Sequence, residues 1–464
     1  MGHPSSRPGL AGDRPLHSGG ARGLCVRGED GVAHHGRGGD PQTRSLGCHP
    51  AAARRHGLGD RESPFRGSGI PLGSGVVAAI HARLSLARPR GGRGMAGMIE
   101  GLDRALHATG EPGLPELRRA LGTVLAGSAS SLRFADEHRL KARVFRLRFD
   151  AGQHSQSVVV KRLDPIEAKR NELAAMEWLP AVRLAANGPG LLGASATTDG
   201  PWIWHVYQDL GDATLEGREG DAGRVAAAVR LIARIHSRFA SHPRIAECRP
   251  YGTFGISYFA SNVRDALRGL ESLRPPTITL SRSREALRDR LLAQLEMLLE
   301  SVPRRARCLA EWGGPETLLH GDLWTSNTFV LGTPSDFEPR LIDWDRAGVG
   351  PMSYDLSTFL LRFSPAQRPW ILDLYARSLE NQAWRLPSTP HLNLLFETAE
   401  LARYANCLIW PALAIANEGA GWGFAALAEV EQWFGTLEPV LAVEPTACAE
   451  ARRAAVGARS CDWR

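Results

Sequence analysis

Lysine is almost missing from this chain. Of its 56 basic residues only three are lysines, Lys141, Lys161 and Lys169, so each one stands out. Cysteine is sparse as well. The seven cysteines (Cys25, Cys48, Cys248, Cys308, Cys407, Cys448 and Cys461) are odd in number, and no two sit at C-x-x-C spacing. That pattern argues against a disulfide framework or a thiolate zinc site and points to a reducing compartment, the cytoplasm. Long apolar runs are lacking: "CLIWPALAIA" at 407–416 falls short of the ~20 residues a membrane span needs. No apolar signal-peptide core stands at the N-terminus. G-x-x-x-x-G-K-[ST], H-E-x-x-H and G-x-S-x-G are all absent, which removes the nucleotide, zinc-protease and serine-hydrolase motifs they mark.

Charge is present but unevenly placed. The net +7 of the 464 residues resides in residues 1–97, which hold 14 arginines against six acidic residues; the remainder is close to neutral. A basic nucleic-acid-binding face is therefore not expected on the main body. Residues 1–97 are rich in Gly, Arg, His and Pro and read as a disordered tail. Translated upstream sequence, with a functional start at Met95 or Met98, is the preferred account of it over an anion-binding tail. "GRGMAG" at 92–97 matches G-x-G-x-x-G but follows no convincing strand.

From Met98 onward periodicity appears. "MIEGLDRALHA" and "GLPELRRALGTVL" read as short amphipathic helices. "ARVFRLRFD" (142–150), "SVVVKRL" (157–163) and "WIWHVYQDL" (202–210) read as strands, with a helix at 167–179 between the last two. Helical patterns then dominate, at 222–240, 283–301, 391–417 (interrupted by Pro411) and 423–440. The expected organisation is a strand-rich lobe at 98–210, a helix-rich lobe at 211–445 and a tail at 446–464.

Lys161 ends the apolar run "VVV" on a strand, where alternation of faces lets it point into a cleft. An ammonium there suits phosphate, although a strand-end lysine also snorkels to water. Glu172, on the next helix, is placed to aim back at it, with Glu177 as the competing partner. The stretch "LLHGDLWTSN" (318–327) sets Gly321 before Asp322, and Asn327 five residues after it. "TFVL", a turn and "RLIDWD" follow, and such a hairpin would bring Asn327 and Asp343 together. A carboxylate and a carboxamide are hard oxygen ligands of the kind Mg²⁺ takes. Asp322 is left free to accept a proton.

The order "VVVK", helix Glu, "VYQDL", "IARIH", "HGDLWTSN", "LIDWD" and "GPMSYDLS" resembles the aminoglycoside phosphotransferase and choline-kinase-like family, over residues 120–440. The resemblance implies an α+β, protein-kinase-like two-lobed fold: a small N-lobe with an antiparallel sheet and a larger, mainly helical C-lobe. It implies Asp322 as catalytic base, with Asn327 and Asp343 holding Mg²⁺. Lys161 would contact the ATP phosphates and Glu172 would position it; the backbone of Val206, Tyr207 and Gln208 would form the adenine hinge. Asp355 would hold the catalytic loop, and Asp345 would assist at the metal or face the substrate. Protein kinases carry Arg where Gly321 stands, paired to a phosphorylated loop; Asp355 follows Asp343 by only twelve positions here. The implied activity is Mg·ATP-dependent phosphorylation of a small-molecule hydroxyl, on an amino sugar, amino alcohol or sugar, by a monomer or homodimer without nucleic-acid or membrane partners. A nucleotide-binding module without transfer, or a protein Ser/Thr kinase, is the alternative. An amine acceptor would want Glu397, Glu400, Glu418 or Glu431 with Trp410, Trp422 or Trp433, against which stands the ordinary reading of solvated glutamates and core tryptophans. One departure is a missing Gly-rich phosphate-covering turn, for which Gly127 and Ser128, Ser130 and Ser131 are the substitutes.

Overall fold

Alternation in the strand segments builds a five-stranded antiparallel sheet in the order β1-β2-β3-β5-β4. The strands are β1 (Arg133–Lys141), β2 (Val144–Ala151), β3 (His154–Leu163), β4 (Leu191–Ala196) and β5 (Ile203–Gln208). The computed structural model describes residues 111–442, with 99, 101–103 and 106, apart from 126–131, 152, 198–199, 201, 241 and 277. The expected tails, and Gly127 with its neighbouring serines, lie outside the described residues. One sheet face, from Phe145, Leu147, Phe149, Val158, Val160, Trp204 and Val206, packs against Leu117, Leu121 and Leu125 of α1 (Leu114–Leu125). The other face is left for polar residues, as a period of two requires.

β1 was not among the strands read from sequence; it is an edge strand, exposed along most of its length, and "RFADEHRLK" shows no clean alternation. The turn joining β1 to β2 is Ala142–Arg143, with Arg143 at φ 63°. The hairpin tip thus lies well after 127–131, where the phosphate-covering turn was sought. α2 (Pro165–Leu173) follows β3, carries a capping box on Asp164 and continues through a π-turn at Ala174–Trp178 into Leu179–Ala181.

The second lobe is helical: α3 (Ala222–Phe239), α4 (Ile256–Glu271), α5 (Arg282–Glu300), α6 (Val302–Trp312), α7 (Ser353–Leu360), α8 (Arg368–Ser378), α9 (Thr389–Glu418) and α10 (Trp422–Thr436). α9 runs straight through Pro411, where an interruption was expected. Its packing against α4 and α10 outweighs the local cost of proline. Two small antiparallel ladders, β6 (Glu316–Leu319) with β9 (Gly348–Pro351) and β7 (Thr328–Thr333) with β8 (Asp336–Leu341), bracket the segment of interest. Among the described residues no helix is long and apolar enough to cross a membrane.

Beneath the loop between β6 and β7, Leu318, Leu323, Val330 and Trp344 share one buried core with α3 and α7. Leu323 is fully buried directly after Asp322. Leu323→Ala should therefore lower unfolding stability by about 2–5 kcal/mol, read from the urea midpoint; a shift below ~0.5 kcal/mol would remove Leu323 as the loop's anchor.

Candidate active site

β6 delivers the chain to the loop 320–327. Gly321 has φ +81°, and a Cβ there would lie 2.1 Å from the Arg346 carbonyl oxygen, so the turn excludes a side chain on two counts. Buried Asp355, in the first turn of α7, accepts from the backbone N–H of His320 at 2.7 Å and of Gly321 at 2.9 Å. His236 Nε2 lies 3.3 Å from the same carboxylate, and its Nδ1 meets the Tyr375 hydroxyl at 2.8 Å. Burial pulls the Asp355 carboxyl up, but His236 and the N–H donors outweigh it and hold the group below the ordinary carboxylate range.

His320 Nε2 donates to the Ile342 carbonyl at 2.8 Å and its ring packs on Trp344, which ties the loop to the end of β8. Asn327 Nδ2 donates to the Asp322 carbonyl at 2.9 Å. The β7–β8 hairpin forms, and the Ile342 N–H donates to the Asn327 carbonyl at 3.0 Å, so Asp343 arrives beside Asn327. The Asp322 carboxylate accepts no hydrogen bond from any described residue and is part-exposed.

Asp343 adopts a left-handed backbone, φ 68° and ψ 55°, a conformation Asp tolerates better than most residues. That kink breaks the line of β8 and seats both carboxylates of "DWD" on one ammonium. Lys161 Nζ donates to Asp343 Oδ1 at 2.5 Å and to Asp345 Oδ2 at 2.6 Å. Burial would discharge the lysine; the two carboxylates overcome it and raise its pKa. Burial likewise opposes ionisation of Asp343, but Lys161 wins and drives the Asp343 pKa down. Asp345 goes the other way, pushed up to about 7 by burial and by the charge of Asp343.

Glu172 does not join this cluster. Its carboxylate lies 3.4 Å from His205 Nε2, without hydrogen-bond geometry, and 3.7 Å from Lys169 Nζ. Glu177 is half-exposed beside Arg244. The residue of α2 that reaches the site is Asn171: its Nδ2 donates to Asp345 Oδ1 at 2.6 Å and its Oδ1 accepts from the Trp344 N–H at 3.2 Å. Arg170 adds a bond to the Asp345 carbonyl at 2.7 Å. Neither was singled out from sequence, since an "RN" pair in a helix carries no motif.

Val206 and Tyr207 sit in β5 between β3 and β4, with their backbone facing both ladders, and the Gln208 N–H donates to the Gly190 carbonyl at 2.7 Å. What these strands offer the cleft is side chains. His205 and Tyr207 share the face of Lys161, with the Tyr207 hydroxyl 2.8 Å from His205 Nδ1. Lys141 pairs with Val144, which pairs with Lys161. Laterally paired residues point the same way, so Lys141, exposed at the hairpin tip, overlooks the same face. A cavity of about 660 Å³ opens elsewhere, between α3 and the β7–β8 hairpin beside Arg230, Phe337 and Glu380.

The fold thus sets a small antiparallel sheet beside a loop with an unpaired carboxylate, and seats a lysine of that sheet on two acids. A family model described as the phosphotransferase enzyme family, APH, matches residues 123–388, and the chain belongs to that family. No curated protein sequence matches the chain. Similar solved structures include an aminoglycoside phosphotransferase from Streptomyces rimosus in complex with ADP and streptomycin, at 18% identity, covering 61% of this chain and 97% of that one with a TM-score of 0.39. A GDP and kanamycin complex of an aminoglycoside phosphotransferase shows 12% identity, covers 70% and 99%, and has a TM-score of 0.46. A Plasmodium vivax ethanolamine kinase shows 11% identity, covers 65% and 81%, and has a TM-score of 0.42.

Asp355→Asn turns an N–H group toward donors that need an acceptor, and should cost about 1–3 kcal/mol at neutral pH. The folded Asp355 pKa lies below its unfolded value of about 3.9, so its contribution is present above that pH and fades as pH falls below it. The stability gap between wild type and variant should therefore narrow below about pH 4; chemical denaturation across pH 2–7 checks it, and a gap independent of pH refutes it.

Proposed function

We propose that this chain transfers the γ-phosphoryl group of ATP to a hydroxyl of a small molecule. The observation that carries the reading is the unpaired Asp322 carboxylate, fixed on a loop whose backbone Asp355 locks, next to Asn327 and the Lys161–Asp343 pair. In the step proposed, the acceptor oxygen bonds to the γ-phosphorus, the bond to the ADP oxygen breaks, and the hydroxyl proton passes to Asp322. Positioning and electrostatics supply most of the acceleration.

The residues present fit Mg²⁺. Asn327 spends its amide N–H on the Asp322 carbonyl, which leaves its carbonyl oxygen for a ligand, and Asp343 supplies a carboxylate. Among the described residues no cluster of three or more His, Cys, Asp or Glu side chains could hold a metal alone. Mg²⁺ needs no such cage, because water and phosphate oxygens complete its shell. When bound, it neutralises charge on the phosphates. Lys161 would trade a carboxylate for a phosphate oxygen, and Lys141 would cover the phosphates in place of a Gly-rich turn. The backbone of Val206, Tyr207 and Gln208, at the end of β5, would form the adenine hinge, with Asp209 and Leu210 directly after it.

Small-molecule rather than protein substrates fit the short connection from Asp343 to Asp355, which is taken up by a single helical turn, β9 and the start of α7. Asp322→Ala should lower kcat on the order of 10²–10⁴-fold with unchanged thermal stability, measured by ADP release over an acceptor panel; near-normal turnover would sink the reading. Lys141→Ala should raise the KM for ATP up to about fivefold, the reach of an exposed charge, and leave kcat in place; an unchanged KM removes Lys141 from the phosphates.

A further inference from the structure

Among the described residues, Arg362 is the one cation near Asp322 that has no hydrogen-bond or ion-pair partner. It follows α7, seven residues after Asp355, so two helical turns bring it back to the side that faces the catalytic loop. Its guanidinium lies 3.9 Å over the ring of Trp324, two residues from Asp322. Apart from that ring contact, no described residue gives the Arg362 side chain a hydrogen bond or an ion pair, and its Nε is buried and unsatisfied. The acids within electrostatic reach are Asp322 and Glu400. Glu400 is committed elsewhere: it accepts from Arg403, and from the Thr358 hydroxyl at 3.4 Å. Arg403 is in turn held by Glu400, the Tyr354 carbonyl and the Ser357 hydroxyl. Tyr404 is also close by, its hydroxyl kept protonated by burial.

We infer that Arg362, flat on Trp324, forms an oxyanion subsite beside Asp322, and that the phosphate acceptor carries a carboxylate or phosphate group as well as its hydroxyl. The inference rests on the phosphotransferase reading above and narrows its acceptor. A partly buried guanidinium without a counter-ion is costly, and its rigid fork matches a planar or tetrahedral oxyanion bidentately. A cationic amine placed against it would meet repulsion instead. Three of the four acids that an amine acceptor would want are already occupied, Glu397 by Arg305, Glu400 by Arg403 and Glu431 by Arg290, and the fourth, Glu418, is exposed at the end of α9. Trp410 and Trp422 are exposed, and Trp433 packs against Tyr404.

The test uses the full chain and three acceptor pairs that differ by one carboxylate: glycerate and glycerol, serine and ethanolamine, gluconate and sorbitol. Dissociation constants are measured by calorimetry without nucleotide, and ADP release is then followed with Mg·ATP. In at least one pair the carboxylated member should bind wild type more tightly by on the order of 10–100-fold, the worth of a hydrogen-bonded charge. That preference should vanish in Arg362→Gln and persist, reduced, in Arg362→Lys. Absence of a preference in every pair for wild type, including absence of binding, overturns the inference, as does a preference that survives in Arg362→Gln. If the preference holds but no ADP is released, the subsite stands and the transfer reading falls. If ADP is released with the members that lack the carboxylate alone, transfer stands and the subsite falls.

Discussion

Everything in this site hangs on one buried ammonium shared by two carboxylates. Lys161 belongs to the sheet of the first lobe; Asp343 and Asp345 belong to the loop that follows the β7–β8 hairpin. A single ion contact therefore fixes the register between the two halves of the cleft. Buried ion pairs gain little unless every lone pair is matched, and here the matching is done by Asn171 and Arg170, which hold the side chain and carbonyl of Asp345. One ammonium against two acids still leaves negative charge in excess. Burial, together with that excess, pushes Asp345 up to about 7, while Lys161 holds Asp343 ionised. On the proposed reading, a divalent cation would complement that charge.

The backbone of the catalytic loop depends on a second buried acid. Asp355 spends its oxygens on two successive amide groups, and a positive φ at Gly321 turns those amides toward it. The glycine was read from sequence as the mark of a missing regulatory arginine. The structure gives it a more elementary reason, because the Arg346 carbonyl occupies the space a side chain would need. Both readings can hold together: a loop pinned from below by Asp355 needs no phosphorylated partner to hold it in place.

Much of this was legible in the sequence because the loop is local. "HGDLWTSN" and "LIDWD" are contiguous, the hairpin between them is short, and alternation in "VVVK" placed Lys161 on a face. Legibility failed where the contacts were long-range or made by unremarkable residues. Asn171 lies 174 positions from the Asp345 that it binds, and nothing in a helix marks an asparagine that caps another element. Glu172, the next residue, was the expected partner of Lys161, but one step along a helix turns a side chain by about 100°, and it faces His205 instead. β1 escaped because an edge strand exposed along most of its length shows no period.

The helix α7 joins the two functions of the loop. Its first turn holds the loop's amides through Asp355, and the residue just past its last turn presents Arg362 to Trp324 of the same loop. Asp322 lies between these two points of attachment. A shift of α7 along its axis would move the base and the unpaired cation together, which preserves their separation. That separation is the distance between the hydroxyl and the charged group of any acceptor bound by both. On the proposed reading, the element that positions the proton acceptor would also be the ruler for the substrate, so that specificity and catalysis would share one mechanical support.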